Sequence, residues 1–318
     1  MNHPPAFSVQ STSASVSTLS TPGKMYGFPE LPYTLHTRKR AIAAVWSALI
    51  IVTSVQIEFF YFLLRYGTKS GLDNALTVPT AILLGVSILS MGLRTWHLVR
   101  KGSQRRPIGG RWYAVSESLP ELCFAGSNLT TQPQLDYFSW NMVIGFIIVT
   151  AVLSAATADE PPNIRQASMP QAIVLYLASS QLIVTGIMAK LGWKTPVRFS
   201  STSSGSPMKP GVFVLIEDIV AVDGGGFQAF REALVVRYES SEIFRRLVEQ
   251  MNWFWGIGSM IVAGGTTAIV YAVPNLDVVF AIGWCLPWVW ASIGAICTIL
   301  WTRRMLVAEE NSVTSSQA

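Results

Sequence analysis

The pattern of apolar and polar positions is dominated by long apolar runs rather than by alternation of period two or a narrow helical stripe. Such runs are the mark of helices that cross a bilayer, for which about 20 apolar residues suffice. They place six spans at 41–64, 76–93, 137–157, 171–189, 253–273 and 278–301. The last two are separated only by Pro274, Asn275, Leu276 and Asp277, which predicts a tight helical hairpin. Residues 1–37 are rich in Ser, Thr and Pro, with too little apolar content to fold alone, and are expected to be a disordered cytosolic tail. They lack the apolar core of a secretory signal, so the first helix is expected to be an uncleaved span. The bundle then occupies 38–304, and 305–318 form a cytosolic C-terminal tail.

Composition agrees with this. Only 13% of the 318 residues are charged while half are hydrophobic, against roughly 25% charged in soluble domains. The charges are placed as a topology signal: of 23 Lys and Arg, 20 fall before the first span, in the loops after the second and fourth spans, or after the sixth span. Lys and Arg collect on the cytosolic side, so both termini are expected there. One span more or fewer would scramble the alternation. The fold class that follows is all-α, a polytopic membrane bundle. Trp46, Trp140, Trp193, Trp253, Trp255 and Trp301 lie near span ends, where indole favours the headgroup region. The Asn128-Leu129-Thr130 sequon falls on the cytosolic side and is expected to stay unglycosylated.

The net charge of +5 is topogenic, since no basic stripe interleaved with aromatics occurs, and nucleic acid is not an expected partner. Membrane lipid is. Cys123, Cys285 and Cys297 have no metal-ligand spacing, and His3, His36 and His97 are scattered, so no metal is expected. There is no P-loop, no GxGxxG, no GxSxG and no zinc-protease helix, and no cofactor is implied.

The loop at 190–252 is the most informative region. A Ser/Gly/Pro linker at 200–210 leads to an apolar stretch from Val212 that is too short to span, broken by Glu217 and Asp218 and ended by Gly224-Gly225-Gly226. Two segments of mixed apolar and charged character follow, around 227–238 and 242–250, and read as amphipathic helices on the cytosolic side.

The candidate catalytic residues are Glu217, Asp218 and Asp223. Five residues apart on an α-helix, 218 and 223 point roughly 140° apart and converge only if the chain bends near the glycines. Converged, they could protonate a double bond or epoxide, or hold Mg²⁺ against a diphosphate. Otherwise they are solvated acids balancing Arg231, Arg237 and lipid head groups. Glu58, inside the first span, either faces a cavity or partner, or reaches the interface or pairs with Arg65. The sixth span carries Trp284, Trp288 and Trp290 around Pro287. These rings either wall a pocket for a carbocation or a flat polycyclic ligand, through cation–π contact, or simply pack. Gly256, Gly258, Ser259, Ala263, Gly264 and Gly265 in the fifth span allow close helix approach.

The stretch Glu217-Asp218-Ile219-Val220-Ala221-Val222-Asp223-Gly224-Gly225-Gly226 is followed by Phe230-Arg231-Glu232, Arg237-Tyr238-Glu239 and Phe244-Arg245. Together with Arg111-Trp112-Tyr113, Ile164-Arg165 and Met169-Pro170, it resembles a group of multi-pass membrane proteins of filamentous ascomycete fungi. Some similar proteins are encoded in secondary-metabolite gene clusters, as with paxilline synthesis protein A of the indole-diterpene pathways. The resemblance covers the chain from about residue 38 and transfers no catalytic residue. It implies a role in terpenoid or indole-diterpene biosynthesis at the endoplasmic reticulum, as a membrane-bound cyclase or accessory factor. The partners it implies are an apolar intermediate and other pathway enzymes. A transporter for apolar products and a non-enzymatic scaffold are the other readings.

Overall fold

The computed structural model describes residues 31, 39–68, 71–100, 103–108 and 135–316. The expectations placed on the rest of the 1–37 tail, on Cys123, on the sequon and on Arg111-Trp112-Tyr113 lie outside these. Among the described residues the fold is all-α, with two isolated bridges and no strand.

The first span is built in four pieces. Helix α1 (Lys39–Ile50) runs through a π-helical turn at Ile51–Val55 into α2 (Gln56–Phe62), and a second π-turn, Leu63–Gly67, ends it. A π-turn carries one extra residue, so each rotates the side chains that follow it. Then come α3 (Leu72–Val99), α4 (Tyr137–Ala158), the short α5 (Ile164–Ala167) and α6 (Pro170–Lys190). Helix α7 (Gly211–Asp218) passes through a π-turn at Ile219–Asp223 to α8 (Phe227–Ser240), and α9 (Glu242–Ala272) and α10 (Leu276–Ser316) complete the chain.

Six segments are long and apolar enough to cross a membrane: Ile42–Gly67, Leu72–Val99, Tyr137–Ala158, Pro170–Lys190, Glu242–Ala272 and Leu276–Glu309. Their outward faces are greasy, with Leu89 63% and Ile261 68% exposed. Apolar surface on this scale is solvated by lipid, and the chain is an integral multi-pass membrane protein.

Between apolar helices in lipid, close packing rather than water exclusion holds the bundle. Helices α6 and α9 meet where small residues remove side-chain bulk. A Cβ on Gly186 would sit 2.5 Å from Asn252 Nδ2, and one on Gly256 would sit 3.2 Å from Ile183 Cγ1. Helices α9 and α10 interlock by glycine under tryptophan in both directions, Gly258 beneath Trp290 and Gly294 beneath Trp255. Trp255 also donates to Thr298 Oγ1 at 3.1 Å, so it packs within the bundle, whereas Trp140 and Trp193 face outward. At the α9–α10 hairpin Asn275 Oδ1 accepts the backbone N–H of Asp277 and Val278, capping α10.

Two sequence expectations change. The segment at 242–250 is not a separate surface helix but the first turns of α9, capped by Ser241, whose Oγ accepts the Phe244 N–H at 3.1 Å. No helix breaker lies between Gln250 and Trp253, so the backbone hydrogen bonds simply continue. The 200–210 stretch is not a loose spacer either. Thr195 Oγ1 donates to the Ser203 carbonyl, the Thr195 N–H to Ser206 O, and the Met208 N–H to Trp193 O, which folds the loop onto itself. The entry to α7 is then fixed from two other helices: Gly211 N–H donates to Thr185 Oγ1 and Val212 N–H to Asn252 Oδ1, both at 3.1 Å. Asn252 also donates to Leu182 O at 2.8 Å, so one buried amide ties α6, α7 and α9 together.

Candidate functional site

The three acids singled out from sequence converge. The π-turn at Ile219–Asp223 is closed by Gly224 N–H to Ile219 O at 2.9 Å, a hydrogen bond that spans one residue more than in an α-helix. That brings the fifth residue round toward the side of the first. The bend therefore precedes the triple glycine rather than falling within it. What the acids converge on is a pair of arginines. Arg231 of α8 donates to Glu217 at 2.6 Å and to Asp218 at 2.7 Å, with all three side chains fully buried. Arg94 of α3 pairs with Asp223 and, at 2.6 Å, with Asp136. Asp136 caps α4 by accepting the Ser139 N–H at 2.8 Å, and lies 3.9 Å from Arg231, so it joins the two halves. Ser200 and Ser201 from the folded loop donate to Asp218 and Glu217.

Two buried arginines thus face four carboxylates. Burial, together with the charge of Asp136 and against the pull of Arg231, pushes the Asp218 carboxyl up to about 7. Burial also raises Asp223, opposed by Arg94. For Arg231 burial works the other way, but Asp218 and Glu217 outweigh it and hold the guanidinium charged. Glu217 Oε2 and Arg231 Nε are buried without a hydrogen-bond partner. Glu217 and Asp218 have no exposed surface, whereas the Asp223 side chain is half exposed. Among the described residues no group of three or more His, Cys, Asp or Glu side chains is placed to hold a metal ion.

Beside this network lies a cavity of about 440 Å³, walled by α1, the first π-turn, α3, α4, α6, α7 and α10. Phe138 connects the two. Its N–H donates to Asp218 Oδ2 at 3.1 Å, the Arg94 guanidinium lies over its ring at 4.6 Å, and its side chain lines the cavity.

Of the tryptophans proposed as pocket walls, Trp284 and Trp288 line this cavity and Trp290 does not. Trp290 turns to the other side of α10, where it packs on Phe254 and Trp255 and donates to Ser259 Oγ at 3.0 Å. Trp284 is fixed by donating to Ala167 O at 3.1 Å, and Trp288 meets Trp46 edge to face. Glu58 is also not among the lining residues. It accepts from Cys285 Sγ at 2.8 Å, next to Ser54, which donates to Trp284 O at 3.1 Å. Arg65 pairs with Asp277 at 2.9 Å, so the Glu58–Arg65 pairing does not form.

In the sequence Arg94 counts only toward topology and Ser200 and Ser201 only as linker, and none of them, nor Asp136, is singled out as a site residue. Only Asp136 left a local sign, an acid directly before an apolar run with a serine three residues on, which is an N-cap pattern.

No curated protein and no solved structure matches the chain. A family model described as a domain of unknown function, DUF8766, matches residues 16–117 and 126–313, and the chain belongs to that family.

Proposed function

We propose that this protein holds an apolar metabolite within the bilayer and takes part in fungal secondary metabolism, in the terpenoid or indole-diterpene class, as an accessory factor of the endoplasmic reticulum membrane. The observation that carries the reading is the cavity of about 440 Å³ inside the bundle, within the range of small-molecule sites. Apolar intermediates partition into bilayers, and a site already in the membrane meets them there. In this reading Trp284 and Trp288 are walls. Glu217, Asp218 and Asp223 act as positioning residues: through Arg94 and Arg231 they fix the first turn of α4, whose Tyr137 and Phe138 end the cavity.

The test is a metabolite comparison between a strain lacking the gene and strains complemented with wild type or with Gly145→Phe, which fills the cavity. A terpenoid product that disappears, and returns with wild type but not with the variant at equal protein level, is the expected result. An unchanged profile would sink the metabolic role. The export reading draws on one observation, the incomplete wall at Leu49, Ile144 and Val174, each more than 40% exposed. It requires the product to accumulate inside the deletion strain instead of vanishing.

A further inference from the structure

Glu58 is an ionisable side chain that neither the cavity nor the arginine network uses. It lies well inside the span Ile42–Gly67, opposite Cys285, which lies well inside Leu276–Glu309. The two spans pack on each other at several levels. Trp288 of α10 meets Trp46, the Trp284 carbonyl accepts from Ser54, and Phe280 stacks on Tyr61 with ring centroids 4.1 Å apart. Glu58 therefore sits on the seam between these spans and not on the cavity wall.

Within the chain this carboxyl has no counter-charge. Among the described residues no Lys, Arg or His forms an ion pair with it. Arg65, further along the same span, is held by Asp277 at 2.9 Å. The Cys285 thiol, which donates to Glu58 at 2.8 Å, is a weak and neutral donor. A carboxylate inside the bilayer is costly unless it faces a cavity or finds a cation. Here the cation has to come from outside the chain.

The seam is open on its lipid side. Cys285 is exposed and starts a row of outward side chains at helical spacing along α10, namely Val289, Ile293, Ile296 and Leu300. Ile51, Val55 and Phe59 face outward on the first span. Apolar rows face lipid on every span, and what sets this pair apart is the acid beside them. A helix laid along both rows would cover the Glu58–Cys285 contact, whereas a small amine there would keep one side in lipid. A second copy docking by the same face would set Glu58 against Glu58 and bring no cation.

We propose that this seam docks a transmembrane helix of a partner protein that carries a lysine or arginine within the bilayer, its cation meeting the Glu58 carboxylate. The pairing joins two charges that are each costly alone in hydrocarbon, and it fixes the depth and rotation of the partner helix. Docking here is independent of what the cavity holds.

The experiment measures association of the labelled full-length protein with synthetic transmembrane peptides, by fluorescence energy transfer in phosphatidylcholine vesicles. The peptides are Leu/Ala helices that differ only in one central residue, Lys, Gln or Glu. Wild type is expected to bind the Lys peptide at least about tenfold more tightly than the Gln peptide, and the Glu peptide no better than Gln. Glu58→Gln keeps a carbonyl oxygen for the Cys285 thiol, so it is expected to fold normally and to lose the preference. Val289→Trp, on the row rather than at the acid, should weaken Lys-peptide binding about threefold to tenfold by obstructing the approach. Equal affinity of wild type for the Lys and Gln peptides overturns the docking, and so does a Lys preference that survives in Glu58→Gln. Unchanged Lys-peptide binding in Val289→Trp overturns the seam as the surface used. Octadecylamine that displaces the Lys peptide at equal mole fraction would assign the carboxylate to a small lipophilic amine and overturn the helix as occupant. Displacement only at large excess upholds it.

Discussion

Arg231 is the cation that two fully buried carboxylates, Glu217 and Asp218, share. Replacing it by methionine leaves both uncompensated. We expect Arg231→Met to lose about 3–5 kcal/mol, read as thermal unfolding in detergent, whereas Arg246→Met breaks only an exposed pair with Glu242 and should cost under about 0.5 kcal/mol. Asp218 gives a second expectation. Its carboxyl is raised from 3.8 to about 7 in the fold, so between these values the folded state holds a proton that the unfolded state has released. The associated stabilisation is complete below the lower value and is lost as pH rises through the upper one. Wild type should therefore lose stability from pH 5 to pH 8 relative to Asp218→Asn, and equal slopes would sink the assignment. At this scale the sequence was legible only in part. The acids stood out because charge is conspicuous in an apolar chain, but their partners did not: Arg94 meets Asp136 across 42 positions and Asp223 across 129. Nothing local announces such a pair. Asn252, polar and unremarkable in sequence, is missed for the same reason.

Helix contacts are governed by where a Cβ is missing. At Gly283 of α10 a Cβ would overlap the backbone carbonyl of Ser168, which cannot swing aside. Gly283→Ala should therefore destabilise by about 1–3 kcal/mol. At Gly265 of α9 a Cβ meets nothing, and Gly265→Ala should be neutral or stabilise by up to about 1 kcal/mol through helix propensity. Paired unfolding curves check both. All six spans could be read from the chain because length and apolarity are local properties. Their ends could not. Helix α3 continues to Val99 and α10 to Ser316, past the apolar runs expected to end at 93 and 301. Backbone hydrogen bonding does not stop where hydrocarbon does, and hydropathy records only the latter. The π-turns leave no trace in composition, yet one of them decides that Asp218 and Asp223 share a network.

For the whole molecule, the distribution of Lys and Arg predicts both termini on the cytosolic side. Reporters fused at either end should both be protease-accessible in sealed microsomes, and glycosidase treatment should leave the mass at Asn128 unchanged. Opposite accessibility of the two ends would require an odd number of spans. The cavity was out of reach of sequence because it is bounded by α1, α3, α4, α6, α7 and α10 together, and no stretch of chain contains more than a strip of its wall. Two of its tryptophans could be named in advance and the third could not be excluded, since position along a helix does not say which neighbour a ring will face.

The arginine–carboxylate network also bears on how the chain is assembled during synthesis. Arg94 and Asp136 are made 42 positions apart, well before Glu217, Asp218 and Arg231, of which the last two are separated by 13. Each arginine is thus made in the same half of the chain as a carboxylate it pairs with. The contact of Arg94 with Asp223 has to wait for both. It is a late fastening between an early and a late half of the protein, and a nascent chain halted before residue 217 would hold the first pair with nothing to close against.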